Sequence, residues 1–154
     1  MGTIEKRLKE LNYTLPEPPK PVASYIPVIR SGNLVFTAGQ IALEGNKLKY
    51  EGKVGQDLTL EQGYEAAKLC VLNCLSVIKD EVGDLKRIKK IVKVTGYVSS
   101  SDNFNEQPKV LNGASELLGE IFYDKGKHVR SAVGVNELPL NSAVEVEMIV
   151  EVRD

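Results

Sequence analysis

Val144-Glu145-Val146-Glu147-Met148-Ile149-Val150-Glu151-Val152 is the stretch whose reading decides the fold. Its alternation sets Val144, Val146, Met148, Val150 and Val152 on one face of a strand, with Glu145, Glu147 and Glu151 on the other. Such a strand has one face for a core and one that is mixed. Just upstream, Ser131-Ala132-Val133-Gly134-Val135 forms another β run that opens at Arg130.

Two helical patterns precede these strands. The longer runs from Leu60 to about Val82, where Thr59 and Gln62 make a capping box and Gly83 follows the last turn. Its apolar stripe includes Ala67, Val71, Leu75 and Ile78. The second runs from about Pro108 to Phe122, with Val110, Leu111, Ala114, Leu117, Leu118 and Ile121 inward and proline in its first turn. Between them, Ile91 to Val98 reads as a strand weakened by Gly96. Further upstream, Tyr25 to Arg30 and Leu34 to Ala38 flank the turn Ser31-Gly32-Asn33 and read as a hairpin. Gly39-Gln40 ends that strand, and a glycine there allows close approach to the backbone. Residues 44–57 read as loop or frayed edge strand.

Residues 3–12 predict a short amphipathic helix with Thr3 as N-cap, and the prolines of 15–21 an extended connector. The whole chain, 1–154, reads as one domain in which residues 1–21 are a helix and a proline-rich arm. The order β-β-α-β-α-β-β predicts an α+β sandwich, a mixed β-sheet with two main helices packed on one face. Two helices cover one face only. The other, where apolar positions mix with carboxylates, is expected to pack on a neighbouring subunit and to place a site at the seam. A monomer with a half-solvated sheet is the competing reading.

Composition removes several function classes. Twenty basic and twenty-one acidic residues give a net charge of −1, which offers no electrostatic basis for strong nucleic-acid or membrane binding. The run Lys86-Arg87-Ile88-Lys89-Lys90 is the one local basic candidate and reads best as a solvated face. No stretch approaches the 18 consecutive apolar residues of a membrane span, and no signal-peptide run is present, so a cytoplasmic protein is expected. Cys70 and Cys74 lie four apart on one helix face and read as small core residues. His128 is the only histidine, too few for a zinc site or a Ser-His-Asp arrangement, and it reads as a surface residue. Phosphate-cradling glycine motifs are absent; neither a metal nor another cofactor is expected.

Arg130 is the leading candidate for chemistry. Its guanidinium offers a planar fork that grips a carboxylate through two hydrogen bonds, and its small neighbours leave room for a ligand. An edge arginine held in a salt bridge is the competing reading. Glu145 and Glu147 share one face of the last strand, where one carboxylate near a ligand would order a water or move its proton; an ordinary solvated or subunit-bridging pair is the alternative.

Arg130-Ser131-Ala132-Val133-Gly134-Val135-Asn136-Glu137-Leu138-Pro139, followed by Val144-Glu145-Val146-Glu147, resembles the signature of the RidA/YjgF family. Gly32-Asn33-Leu34-Val35-Phe36-Thr37-Ala38-Gly39-Gln40-Ile41, with Tyr25 ahead of it, agrees, and the resemblance covers residues 22 to 153. The proline-rich start and the stretch 107–115 resemble the longer subgroup labelled "endoribonuclease L-PSP". The resemblance implies a chorismate-mutase-like fold, a homotrimer with clefts between subunits, and hydrolysis of enamine or imine intermediates such as 2-aminoacrylate to 2-keto acids and ammonia. It also implies roles. Arg130 would clamp the carboxylate of a small metabolite and Glu145 would orient the attacking water. Tyr25 would close the pocket, Ala38, Gly39 and the Ala132 backbone would line it, and Asn112 would stand at its edge. The sequence departs from the family's deaminases at Ala38, commonly serine, and at Ala132, often cysteine; both changes make the pocket more apolar. A trimer that binds small molecules without turnover, or hydrolyses another substrate, is the second reading. A ribonuclease that inhibits translation, as the subgroup's label suggests, is the third; no catalytic histidine and no basic charge support it.

Overall fold

The computed structural model describes residues 2–18, 20 and 24–154. Pro19 and Pro21 of the proline-rich arm lie outside the described residues, and residues 15–18 and 20 belong to no helix or strand. Helix α1 covers Thr3–Glu10 and buries Leu8. Its N-cap is Gly2 and not Thr3, which is already helical, and no side chain caps this end.

Strand β8 (Val144–Val152) lies in the middle of the sheet, between β2 (Leu34–Thr37) and β6 (Ile88–Ser99), and is antiparallel to both. The order continues to β1 (Val28–Ser31) beside β2, and to β7 (Val129–Val135) beside β6. The β6–β7 pair is parallel, so it needs a crossover, which α3 (Gln107–Phe122) supplies. The predicted chorismate-mutase-like α+β architecture is therefore the one observed, with β6 longer by several residues than the Ile91–Val98 expected.

The alternation in β8 translates directly into burial. Val144, Val146, Met148, Val150 and Val152 are at most 1% exposed, under α2 (Leu60–Val82) and α3, and the intervening residues are half-exposed. Full burial of each such side chain stabilises by roughly 1.5–3 kcal/mol. The expected capping box on α2 is present in both directions, Thr59 with Gln62, and Gly83 ends the helix at φ +88°. Cys70 and Cys74 are fully buried free thiols; burial pushes Cys70 well above its ordinary range and Cys74 up to about 12, as expected of core residues.

Three connections differ from expectation. The β1–β2 turn is the two-residue loop Gly32-Asn33, because Ser31 and Leu34 pair; glycine at φ +62° in its first position suits the turn that matches strand twist. Residues 44–57, read as loop or frayed edge strand, begin inside a small separate hairpin, β4 (Leu43–Glu44) with β5 (Lys47–Leu48). The strand ending at Gly39 resumes as β3 (Gln40–Ile41). Phe36 pairs with Ile149 and Gln40 with Val146, so three residues, Thr37 to Gly39, face two of β8. This is a β-bulge, and the Thr37 hydroxyl accepts from the Met148 N–H at 3.0 Å where the ladder is interrupted.

Helices α2 and α3 meet at Gly113, where a Cβ would land on the backbone carbonyl of Tyr64; a Cβ at Gly119 on the same helix would meet nothing. We expect Gly113→Ala to lose about 1–3 kcal/mol, while Gly119→Ala gains up to about 1 kcal/mol from helix propensity. Chemical denaturation of both variants checks this, and equal midpoints would contradict the close approach.

Candidate active site

Arg130 and Glu145 do not meet within one chain. Arg130 pairs with Val94, which pairs with Met148, so its side chain is on the helix-covered face. Glu145 pairs with Tyr97, itself beside Val133, on the open face. Two strand spacings and three residues of rise separate their Cα atoms by roughly 14 Å, and the side chains leave opposite faces. The single chain therefore carries two half-sites.

The first half-site is built on the sheet edge. Arg130 is half-buried, and its Nη1 donates to Asn112 Oδ1 at 2.9 Å and to Ser115 Oγ at 3.1 Å, both on α3. Among the described residues no carboxylate lies within ion-pair distance of it, so the salt-bridged reading does not hold. The neighbouring backbone is open. Val135 O accepts from Ser100 N, which turns that carbonyl into the sheet; by alternation the Ala132 N–H points outward from the edge, beside Arg130. Ser131 is exposed on the opposite face from the Arg130 side chain, and the helix side of Gly134 is filled by Gln107, whose Nε2 would stand 2.6 Å from a Cβ there. Hollows lie against α2 near Tyr13 and Tyr50 and against α1 near Arg87 and Phe122, away from Arg130.

The second half-site is the bulge over β8. A Cβ on Gly39 would stand 2.5 Å from Glu145 Oε2, so a side chain at this position would push the carboxylate aside. Ala38 is next to it, its N–H donating to Pro27 O at 2.7 Å, and Tyr25 lies two residues before Pro27 at the same end of the hairpin, 56% exposed. The two glutamates differ. Tyr97 donates to Glu147 Oε1 at 2.7 Å, and this hydrogen bond, with burial, raises the phenol to about 12. Among the described residues Glu145 has no hydrogen-bond donor or cation; burial, then repulsion from Glu147, raises it above its ordinary 4.5. The sequence pattern treated the two acids alike, and the difference comes from Tyr97 across the strand.

His128 is not a surface bystander. It is half-buried, with Nε2 2.9 Å from Ser115 Oγ and Nδ1 2.6 Å from Gly126 O. Sequence reasoning missed it and Ser115 because their link runs from a loop to a helix. The basic run is also partly internal: Arg87 donates to Val82 O and Arg153 O, and Ile88 is buried.

A raised carboxyl pKa means that the folded chain holds the proton more tightly than the unfolded chain. Its contribution to stability therefore falls as pH rises from 4.5 through the raised value. Glu145→Gln should flatten that segment of the stability–pH curve. A carbon-detected NMR titration should place the Glu145 midpoint above 4.5 in the wild type and lower in Glu147→Gln; an unmoved midpoint would remove Glu147 as a cause.

Comparison with known proteins agrees with this architecture. A sequence model of the family described as "YjgF/chorismate_mutase-like, putative endoribonuclease" matches residues 5–152. Protein TCP17 of Trypanosoma cruzi is 36% identical over 99% of this chain and 96% of its own length. The crystal structure of Atu1372 from Agrobacterium tumefaciens superposes with a TM-score of 0.92 at 42% identity, covering 97% of this chain and 92% of that one. A protein of Dermatophagoides farinae named 2-iminobutanoate/2-iminopropanoate deaminase is 26% identical over 90% of this chain and 93% of its own length. No helix of the described residues is long and apolar enough to cross a membrane. Fold, signature residues and relatives converge, and the chain belongs to the RidA/YjgF family.

Proposed function

We propose that this protein hydrolyses small reactive 2-imino acids to 2-keto acids and ammonia, in a cleft where Arg130 of one copy faces Glu145 of the next. The observation that carries the reading is the separation of the two half-sites. A carboxylate-binding fork without a counter-charge and an unpaired carboxylate of raised proton affinity sit on opposite faces of one sheet. A second copy laid on the open face brings them together, and a trimer closes that arrangement on itself. The open face is suited to it, since Ile29, Val129 and Val133 there are 53%, 65% and 45% exposed.

The chemistry asks little of the protein. Arg130 and the Ala132 N–H hold the substrate carboxylate, which fixes the imine carbon. The substrate enters as the protonated imine, and Glu145 accepts a proton from a water as its oxygen adds to that carbon, so the iminium nitrogen becomes a neutral amine. Glu145 returns that proton to the carbinolamine nitrogen, and as the C–N bond breaks the hydroxyl proton passes through Glu145 to the departing ammonia, leaving the keto acid and ammonium. No electrons are transferred, and an enamine enters the same sequence after tautomerising to the imine. The relative named as an imine deaminase supports this class of substrate. Ala38 and Ala132 favour a substrate with an apolar side chain over a small polar one.

With 2-iminobutanoate generated in situ, we expect wild-type protein to accelerate release of the keto acid. Arg130→Ala should lower kcat/KM by at least about a hundredfold, and Glu145→Gln by about 10²–10⁴-fold, chiefly in kcat. Both variants should remain trimers by sedimentation. Equal rates for wild type and Arg130→Ala would refute the clamp. The ribonuclease reading predicts RNA cleavage and binding that weakens steeply with salt, so an RNA digest across a salt series separates the two.

A further inference from the structure

We propose that Ser115 and His128 are positioning residues that fix which edge of the Arg130 guanidinium meets a bound carboxylate. The inference rests on the clamp assigned to Arg130 above. Four groups form a chain: Arg130 Nη1 to Ser115 Oγ at 3.1 Å, Ser115 Oγ to His128 Nε2 at 2.9 Å, and His128 Nδ1 to Gly126 O at 2.6 Å. The ends set its direction. A guanidinium only donates and a carbonyl only accepts. Nδ1 therefore carries a ring hydrogen toward Gly126, and we assign the ring to the Nδ1–H tautomer, in which Nε2 accepts. Ser115 uses its oxygen to accept from Arg130 and its hydrogen to donate to His128.

The consequence falls on Arg130. Nη1 also donates to Asn112 Oδ1 at 2.9 Å, so both of its hydrogens are committed to α3. Asn112 and Ser115 are three residues apart and share a helix face, so they hold Nη1 from one side. Nε and Nη2 have no partner among the described residues, and these two N–H groups are parallel and spaced to meet both oxygens of a carboxylate. The end-on grip, which needs Nη1, is closed off. Without the chain, the arginine would sample other rotamers at the sheet edge and bind the same anion in several orientations, of which one aligns the reacting carbon.

The test uses three variants, Ser115→Ala, Ser115→Thr and His128→Ala, each in the full chain. Long-range 1H–15N NMR reads the chain without any ligand. We expect His128 in the Nδ1–H tautomer and distinct Arg130 Nη signals in the wild type. Ser115→Ala should average the Arg130 signals, and Ser115→Thr, which keeps the hydroxyl, should restore them. Pyruvate then serves as the carboxylate probe. Ser115→Ala and His128→Ala should bind it about tenfold more weakly, Ser115→Thr within about twofold of wild type, and Arg130→Ala/Ser115→Ala no more weakly than Arg130→Ala alone. In turnover of 2-iminobutanoate both kcat and kcat/KM should fall in Ser115→Ala, since part of the bound substrate is held with its reacting carbon out of line, and Ser115→Thr should restore both. Unchanged Arg130 signals in Ser115→Ala, or additive loss in the double variant, would overturn the assignment. Should wild type bind pyruvate yet fail to accelerate keto-acid release, the hydrolytic reading falls alone. Should it bind none, the clamp falls too, and the NMR comparison still decides whether Ser115 and His128 orient the arginine.

Discussion

The two-faced strand β8 is the constraint on which this structure depends. It pairs with β2, β3 and β6, so it is the only strand that touches both halves of the sheet. Its valines and Met148 give α2 a surface to pack on, and its glutamates prevent the opposite face from becoming a second dry core. A one-residue slip would exchange these faces and bury three carboxylates, so the register is strongly specified by the hydrophobic pattern alone. The pairing of β8 yields on the β6 side, between Ile88 and Lys90 and between Ile91 and Lys93, and on the other side at the bulge Thr37 to Gly39, which lies over Glu145.

Much of this was legible from residue order. The alternation in 144–152, the Thr59–Gln62 cap and the stripe of α3 each report a periodicity that burial then follows. The errors were of two physical kinds. Local ones arose where a small energy decides between neighbouring conformations. Thr3 reads as a helix cap where Gly2 stands, and the loop-or-edge-strand reading of 44–57 stays open because the β4–β5 hairpin has only two residues per strand, too short for a pattern to place. Non-local ones concern side chains joined across elements. Tyr97 selecting Glu147, and His128 reaching Ser115, depend on strand register and on the path of a loop, neither of which a linear pattern carries.

The candidate site illustrates the same division. Arg130 and Glu145 were identifiable as a fork and an acid, yet their placement on opposite faces is a property of parity. Arg130 is in register with Val94, and Glu145 with Tyr97, three residues further along β6. An odd offset sets two side chains on opposite sides of a sheet. The fold thus offers complementary halves that a single copy cannot join.

The position of β8 in chain order also bears on how the protein acquires its shape. The strand in the centre of the sheet is the last in sequence, so β2 and β6, which end as its two neighbours, have no direct contact to hold them in place before it arrives. The helices can form early on local propensity, but the barrier to folding includes closing loops that span most of the chain, a topology associated with slow folding. Until that closure, two unpaired strand edges are open to other chains, so association between incompletely folded copies competes with folding.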